Sequence, residues 1–273
     1  MTLETQLRRR RAAGHKLLVP YVTGGITATW LDQLRAFVDA GADAIEVGLP
    51  FSDPAVDGAT IQEATHRALA RGTTTRSVLD DLAGAVADVP LVASTYYNLV
   101  VHAGGPRFCA ALRDAGVSGL IIPDLPLDEA DELADVAAAA GVDLVLLAAP
   151  TTPPHRLAQI AQRSRGFVYA VSVMGTTGER ATVADSAAVL ANRLRQTTDR
   201  PVLVGFGIST AEHAVHAARS ADGVIVGAAL MRRVLDGASP YDVGGYLARM
   251  RHALDHATRQ AGEHPTEAHP TRA

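Results

Sequence analysis

The chain has almost no cysteine. Cys109 stands alone among 273 residues, so no disulfide can form within the chain. A lone thiol fits a reducing compartment, and the cytoplasm is the expected location. Long hydrophobic runs are missing too. No apolar stretch approaches the ~20 residues that span a bilayer, which leaves the membrane out. A basic run, Arg8 to Arg11, precedes only the short segment from His15 to Val22, which Pro20 breaks. It is therefore no twin-arginine export signal, and it reads as a solvated helix face. Positive charge is not in surplus: the formal net charge is −4. No basic footprint for nucleic acid follows from that. Aromatic residues make up 4% of the chain against 48% for apolar residues in total. Ala, Val, Leu and Gly carry the difference, which suits helices packed on a sheet around a large core.

Eight short apolar runs recur along the chain. They cover 16–23, 44–50, 90–97, 119–123, 144–150, 167–173, 201–207 and 223–227. Most lack polar alternation, as do parallel strands buried on both faces. Longer helical patterns lie between them, as in 29–40 and 127–140. Ala-Gly pairs close such stretches at Gly41, Gly116 and Gly141, where glycine supplies the left-handed residue past a helix end. Eight such units predict a (β/α)₈ TIM barrel. An open doubly wound sheet usually shows Gly-x-Gly-x-x-Gly after its first strand, and Thr23-Gly24-Gly25-Ile26 does not fit that fingerprint. Residues 2–14 read as an extra N-terminal helix under the barrel. The expected domain is 1–258. Residues 259–273, polar and broken by Pro265 and Pro270, read as a disordered tail.

Glu46 is a carboxylate inside an apolar strand, and burying it is costly unless something compensates. Strand alternation turns Glu46 and Gly48 inward if Ile45 and Val47 face the helices. Its head then points toward the C-terminal mouth, where barrel active sites are built. A structural ion pair is the plain alternative, but Lys16 only opens the first strand and no arginine lies mid-strand. Asp57 and Asp53 follow on the next loop, where ordinary turn chemistry competes with catalysis. Their spacing behind Glu46 favours a second catalytic acid on this loop. Glycine turns close the late strands: 175–178, 205–209 and 227–229. Such turns expose backbone N–H groups, and a short helix over 228–235 adds its positive end. Together they predict a phosphate site.

These segments together resemble the α subunit of tryptophan synthase. The matching stretches are 46–58 with Thr60-Ile61-Gln62, then 95–98, 119–126, 149–153, 166–169, 204–209 and 222–227. They run in family order over essentially residues 16–255. The resemblance implies a lyase that cleaves indole-3-glycerol phosphate to indole and glyceraldehyde 3-phosphate by a retro-aldol reaction in tryptophan biosynthesis. Glu46 matches the family's acid/base, and Asp57 the acceptor for the indole N–H. Tyr96 and Tyr169 match residues beside the substrate, and Tyr21 and Phe206 line the indole slot. Thr177 and Gly178 belong to the mobile lid. Gly178, Gly207 and Gly227 match backbone phosphate contacts, with Ala228 beside them. No metal or organic cofactor is implied. The implied partner is a β subunit in an α₂β₂ assembly.

Some positions depart from the family pattern. Gly24-Gly25-Ile26-Thr27 stands where Ala-Gly-Asp-Pro is usual, Ser94 replaces Met, and Ala228 replaces Ser. Val173-Met174 follows Ser172 where the family has Ser-Arg. The departures are expected on loops that gate the site or face the partner. Two further readings stand beside the synthase subunit: a diverged lyase releasing free indole, and an allosteric binding subunit with little turnover.

Overall fold

A computed structural model describes residues 2–85, 88–171, 180–205 and 207–263, with side chains at 180–185 and 261–263 left aside. The chain begins with helix α1 (Leu3–Ala12) and strand β1 (Leu17–Thr23), then α2 (Trp30–Asp39) and β2 (Ile45–Gly48). Helices α3 (Ala59–Ala70) and α4 (Thr75–Ala83) lead to β3 (Leu91–Ser94). Next come α5 (Tyr97–Ala103), α6 (Gly105–Asp114), β4 (Val117–Ile121), α7 (Ala130–Ala140) and β5 (Asp143–Ala148). The last third holds α8 (Pro154–Arg163), β6 (Val168–Val171), α9 (Arg180–Thr197), β7 (Val202–Gly205), α10 (Ala211–Ser220) and β8 (Gly223–Val226). Helices α11 (Ala228–Leu235) and α12 (Pro240–Glu263) finish it. The eight strands are parallel and close in sequence order, with β8 pairing back onto β1. This is the expected (β/α)₈ barrel.

Alternation along each strand divides the apolar residues into two cores. Leu18, Val22, Ile45, Val47, Val202 and Val204 face the helices. Leu17, Val19, Val92, Ile121, Val145, Leu203 and Ile225 fill the barrel. Helix α1 belongs to the second group, since Leu3 and Leu7 join that interior cluster fully buried. Leu3 needs the bare backbone above it: a Cβ on Gly119 would stand 2.6 Å from its Cδ2. The N-terminal helix is thus a plug for the lower opening, as its position implied.

The arginine run corrects the expectation of a solvated face. Arg8 reaches Glu4 and Asp199, Arg10 reaches Asp43 at 2.6 Å, and Arg11 reaches Asp199 and Asp222. Apart from Glu4, one helical turn from Arg8, these partners come from far along the sequence, so helical spacing alone could not reveal them.

Several apolar runs overshoot the strands. Tyr97, for example, opens α5 rather than extending β3. The fourth strand starts at Val117, two residues earlier than its run implied, because it pairs with Leu91. The helix expected over 228–235 forms there, and Gly41, Gly116 and Gly141 take positive φ at their helix ends. Helix α12 runs to Glu263, past residue 258, and the rest of the expected tail lies outside the described residues. Among the described residues no helix is long and apolar enough to cross a membrane.

Candidate active site

The mouth is built from inward positions at the upper strand ends. Glu46 on β2 pairs in register with Tyr21 on β1 and Val92 on β3. One inward step higher, Gly48 stands beside Ser94. Gly48 makes room for Tyr21: a Cβ there would lie 2.0 Å from the tyrosine oxygen. The same device recurs across the barrel, where a Cβ on Gly205 would lie 2.4 Å from the Tyr169 oxygen. Two bulky phenols therefore lean over two glycines and leave Glu46 in a slot between apolar walls. The Tyr21 hydroxyl also meets the Thr23 hydroxyl at 3.1 Å.

Glu46 is 5% exposed. Burial pushes its carboxyl up to about 7, a hydrogen bond from the Ser94 hydroxyl opposes the rise, and the nearby charge of Asp57 adds to it. Lys16 is no partner for it, since its ammonium donates to the Ala221 carbonyl at the other end of the strands. A carboxyl held near neutrality can both give and take a proton at ordinary pH.

Asp57 sits on the loop after β2. Its loop closes on itself through Asp57 N–H to the Pro54 carbonyl and Gln62 to the Asp57 carbonyl. Tyr96, between β3 and α5, locks it: the phenol donates to Asp57 Oδ2 at 3.0 Å and accepts the Val56 N–H at 3.2 Å. Phe51 stacks on the Tyr96 ring at 5.1 Å. Burial raises the Asp57 carboxyl above its usual range, and the Tyr96 bond partly offsets that. Asp53 differs. It stays exposed, taking a hydrogen bond from Ser52, which is turn chemistry.

Opposite, the turns after β7 and β8 face the mouth. Gly207 has φ +77°, a conformation that favours glycine, with no atom within 4 Å of a would-be Cβ. Gly227 caps α11, and its would-be Cβ lies 3.6 Å from Tyr21 Cβ. The N–H groups of Ala228 and Ala229 belong to the first turn of α11, where helical partners are lacking. Free N–H groups at a helix start are suited to an anion. Thr177, Gly178 and Phe206 lie outside the described residues, as do Val173 and Met174.

A cavity of about 360 Å³ lies at the other end, lined by Arg11, Arg195, Thr198, Asp199 and Asp222. Its carboxylates already pair with those arginines. It offers no uncompensated charge for chemistry.

Known proteins share this fold. A family model described as tryptophan synthase alpha chain matches residues 7–255. The chain belongs to the tryptophan synthase alpha chain family. The alpha chain from Microcystis aeruginosa (strain NIES-843 / IAM M-2473) is 45% identical over 248 residues, covering 89% of this chain and 94% of that one. That from Chloroflexus aurantiacus (strain ATCC 29364 / DSM 637 / Y-400-fl) is 46% identical over 262 residues, covering 92% and 96%. The crystal structure of tryptophan synthase subunit alpha from Legionella pneumophila str. Paris superposes with a TM-score of 0.86 at 32% identity, covering 94% and 99%. A chain of aminoacrylate-bound tryptophan synthase from M. tuberculosis gives 0.83 at 33% identity, covering 93% and 100%.

Against the family pattern, two departures fall elsewhere than on gating or partner-facing loops. Ile26 is 1% exposed and packs in the outer core. Gly24 and Gly25 before it let the loop press against Val78 and Thr73, which a Cβ would meet at 2.6 and 2.3 Å. Ser94 ends β3 in register with Gly48, on a strand rather than on a loop.

Proposed function

We propose that this chain cleaves indole-3-glycerol phosphate to indole and glyceraldehyde 3-phosphate, with Glu46 moving the protons and Asp57 steadying the ring. The observation that carries the assignment is a buried carboxyl poised near neutrality beside a second, tyrosine-locked carboxyl. The bond to break joins indole C3 to the glycerol chain. Protonation at C3 by the Glu46 carboxyl makes an indolenine, whose ring nitrogen carries positive charge. Asp57 accepts that N–H and opposes the charge, a contribution that grows toward the transition state. The Glu46 carboxylate then takes the proton of the hydroxyl next to the breaking bond. The C–C electrons return to the ring, the alcohol carbon becomes an aldehyde, and Glu46 ends protonated as it began.

Tyr21, Tyr96 and Tyr169 line the indole slot. Burial raises all three phenols above their ordinary range, so they stay neutral and apolar toward the ring. The rim of Gly207, Gly227 and Ala228 holds the phosphate through backbone N–H groups. The partner we propose is a β subunit in an α₂β₂ assembly in the cytoplasm. Val56 and Val101, 51% and 61% exposed on segments after β2 and β3, give that end an apolar contact surface.

The test is indole release from indole-3-glycerol phosphate by the purified chain, alone and with a tryptophan synthase β subunit. Slow release accelerated by the β subunit supports the synthase role. Fast release alone supports a standalone lyase. Binding without release in either case overturns the assignment in favour of a binding subunit.

A further inference from the structure

We propose that Tyr246 is a positioning residue for the phosphate rim. Its hydroxyl grips the Ser209 carbonyl and so holds the loop after β7 in the shape that presents backbone N–H groups to a phosphate. The inference rests on the proposed reading of that rim and adds to it a residue from the last helix. The loop lacks packing of its own at the decisive point. Gly207 has φ +77°, with no atom within 4 Å of a would-be Cβ. Ile208 is buried in the outer core and anchors the next residue. Thr210 caps α10, and its carbonyl takes a helical bond from the Ala214 N–H. The Ser209 carbonyl falls just before that ladder and is free to take a donor from elsewhere. The Tyr246 hydroxyl donates to it. The Ser209 hydroxyl meets His213 Nδ1 at 3.1 Å, so this residue is held at both its side chain and its carbonyl.

Tyr246 is itself well fixed. Helix α12 buries Val243, Tyr246, Leu247, Met250 and Leu254, a stripe at helical spacing. Tyr246 is the member of that stripe with a polar tip, which suits it to reach a backbone carbonyl from a packed position. The Arg233 guanidinium, from α11, lies 3.8 Å from its ring centroid. Helix α11 is the element whose first turn forms the other side of the rim. One side chain therefore touches both segments that carry the rim, the loop by a hydrogen bond and α11 by a stacked cation. Backbone donors bind an anion well only when they are already oriented, because a loose loop must be ordered at the moment of binding. The effect of Tyr246 falls on phosphate affinity, and proton transfer at Glu46 is left alone.

The experiment compares wild type with Tyr246→Phe and Gly207→Ala. Glycerol 3-phosphate and indole are titrated by calorimetry, and kcat and KM are measured for indole-3-glycerol phosphate. Phenylalanine keeps the ring and the arginine stack and removes only the donor. Tyr246→Phe is expected to bind glycerol 3-phosphate about three- to tenfold more weakly and to raise KM by a similar factor. Indole affinity and kcat should stay close to wild type, a split that general damage to the barrel would not give. Unchanged glycerol 3-phosphate affinity in Tyr246→Phe overturns the proposal, and so does an equal loss for both ligands. Gly207→Ala separates the two claims. If it weakens glycerol 3-phosphate binding while Tyr246→Phe does not, the rim holds phosphate and only the role of Tyr246 falls. If neither variant weakens it, the phosphate does not sit on this rim and both claims fall.

Discussion

Strand β2 and the turn that enters it carry two acids that live under opposite rules. At its foot, Asp43 accepts the Leu18 N–H at 2.9 Å, Arg10 at 2.6 Å and Arg251 at 3.2 Å, with its side chain 1% exposed. Within the strand, three residues on, Glu46 is just as sequestered but has the Ser94 hydroxyl and a neighbouring acid near it. Asp222, at the foot of β8, repeats the lower pattern with the Val202 N–H, Arg11 and Arg195. Asp57, at the mouth, repeats the upper one with Tyr96. Burial is common to both ends, and what differs is neutralisation. Paired acids at the foot tie α1 and α12 to the barrel. Unpaired acids at the mouth hold free energy that chemistry can use.

The sharpest way to break this contrast is at the foot. Asp43→Ala leaves the Leu18 N–H without its acceptor and takes from Arg10 and Arg251 the buried carboxylate they share, although Arg251 keeps Asp255 at 2.6 Å. Stability should fall by about 3–5 kcal/mol, read by urea unfolding, while kcat per folded molecule stays close to wild type. A loss under about 1 kcal/mol would mean that the pairing at the foot is dispensable. At the mouth the signs reverse. Asp57→Ala should lower kcat by about 10²–10³-fold with a smaller change in KM and little loss of stability. Collapse of affinity with unchanged kcat would make Asp57 a ground-state binding residue instead.

Smaller effects sharpen the picture. Ala228→Ser adds a hydroxyl beside the backbone donors of the phosphate rim. Glycerol phosphate should bind tighter by about tenfold or less by calorimetry, with the reaction unchanged. Equal or weaker binding would place the phosphate elsewhere. Arg8→Ala removes a pair to Asp199, whose side chain is 85% exposed. Its cost should stay within about 1 kcal/mol and shrink further in salt. A larger loss would show that the exposed pairs at the foot carry as much as the buried ones.

The mouth was more legible in the sequence than the foot, for a physical reason. Glu46 announces itself as a charge in an apolar run, and Asp57 follows on the next loop. Both signals are local. Strand period, Ala-Gly helix ends and the turn before 228–235 are local too, so the barrel could be read from them. The foot is made of long-range pairs: Arg10 with Asp43, Arg11 with Asp222, Arg251 with Asp43. No spacing rule links such residues, and the arginine run therefore read as solvated. Ser94 was hidden for a related reason. Its place beside Gly48 depends on the β2–β3 register, which only the folded sheet fixes. Ile26 looked like a gating change, but the glycines before it turn the loop inward to the core.

The most direct test is one variant measured two ways. Glu46→Gln keeps the shape but cannot transfer a proton, so turnover should drop by about 10²–10⁴-fold. The same change should stabilise the ligand-free protein, with a definite pH signature. The Glu46 carboxyl lies near 7 in the folded chain against an ordinary 4.5. Below about pH 4.5 it is protonated folded or unfolded, and the charge costs nothing. Between 4.5 and 7 the unfolded chain ionises and the folded one resists, so the penalty grows. Above 7 it is complete, at about 3 kcal/mol. The account predicts that Glu46→Gln loses turnover, gains stability at pH 8 and gains none at pH 4.5. Turnover within a few-fold of wild type, or a loss of stability at pH 8, would contradict it.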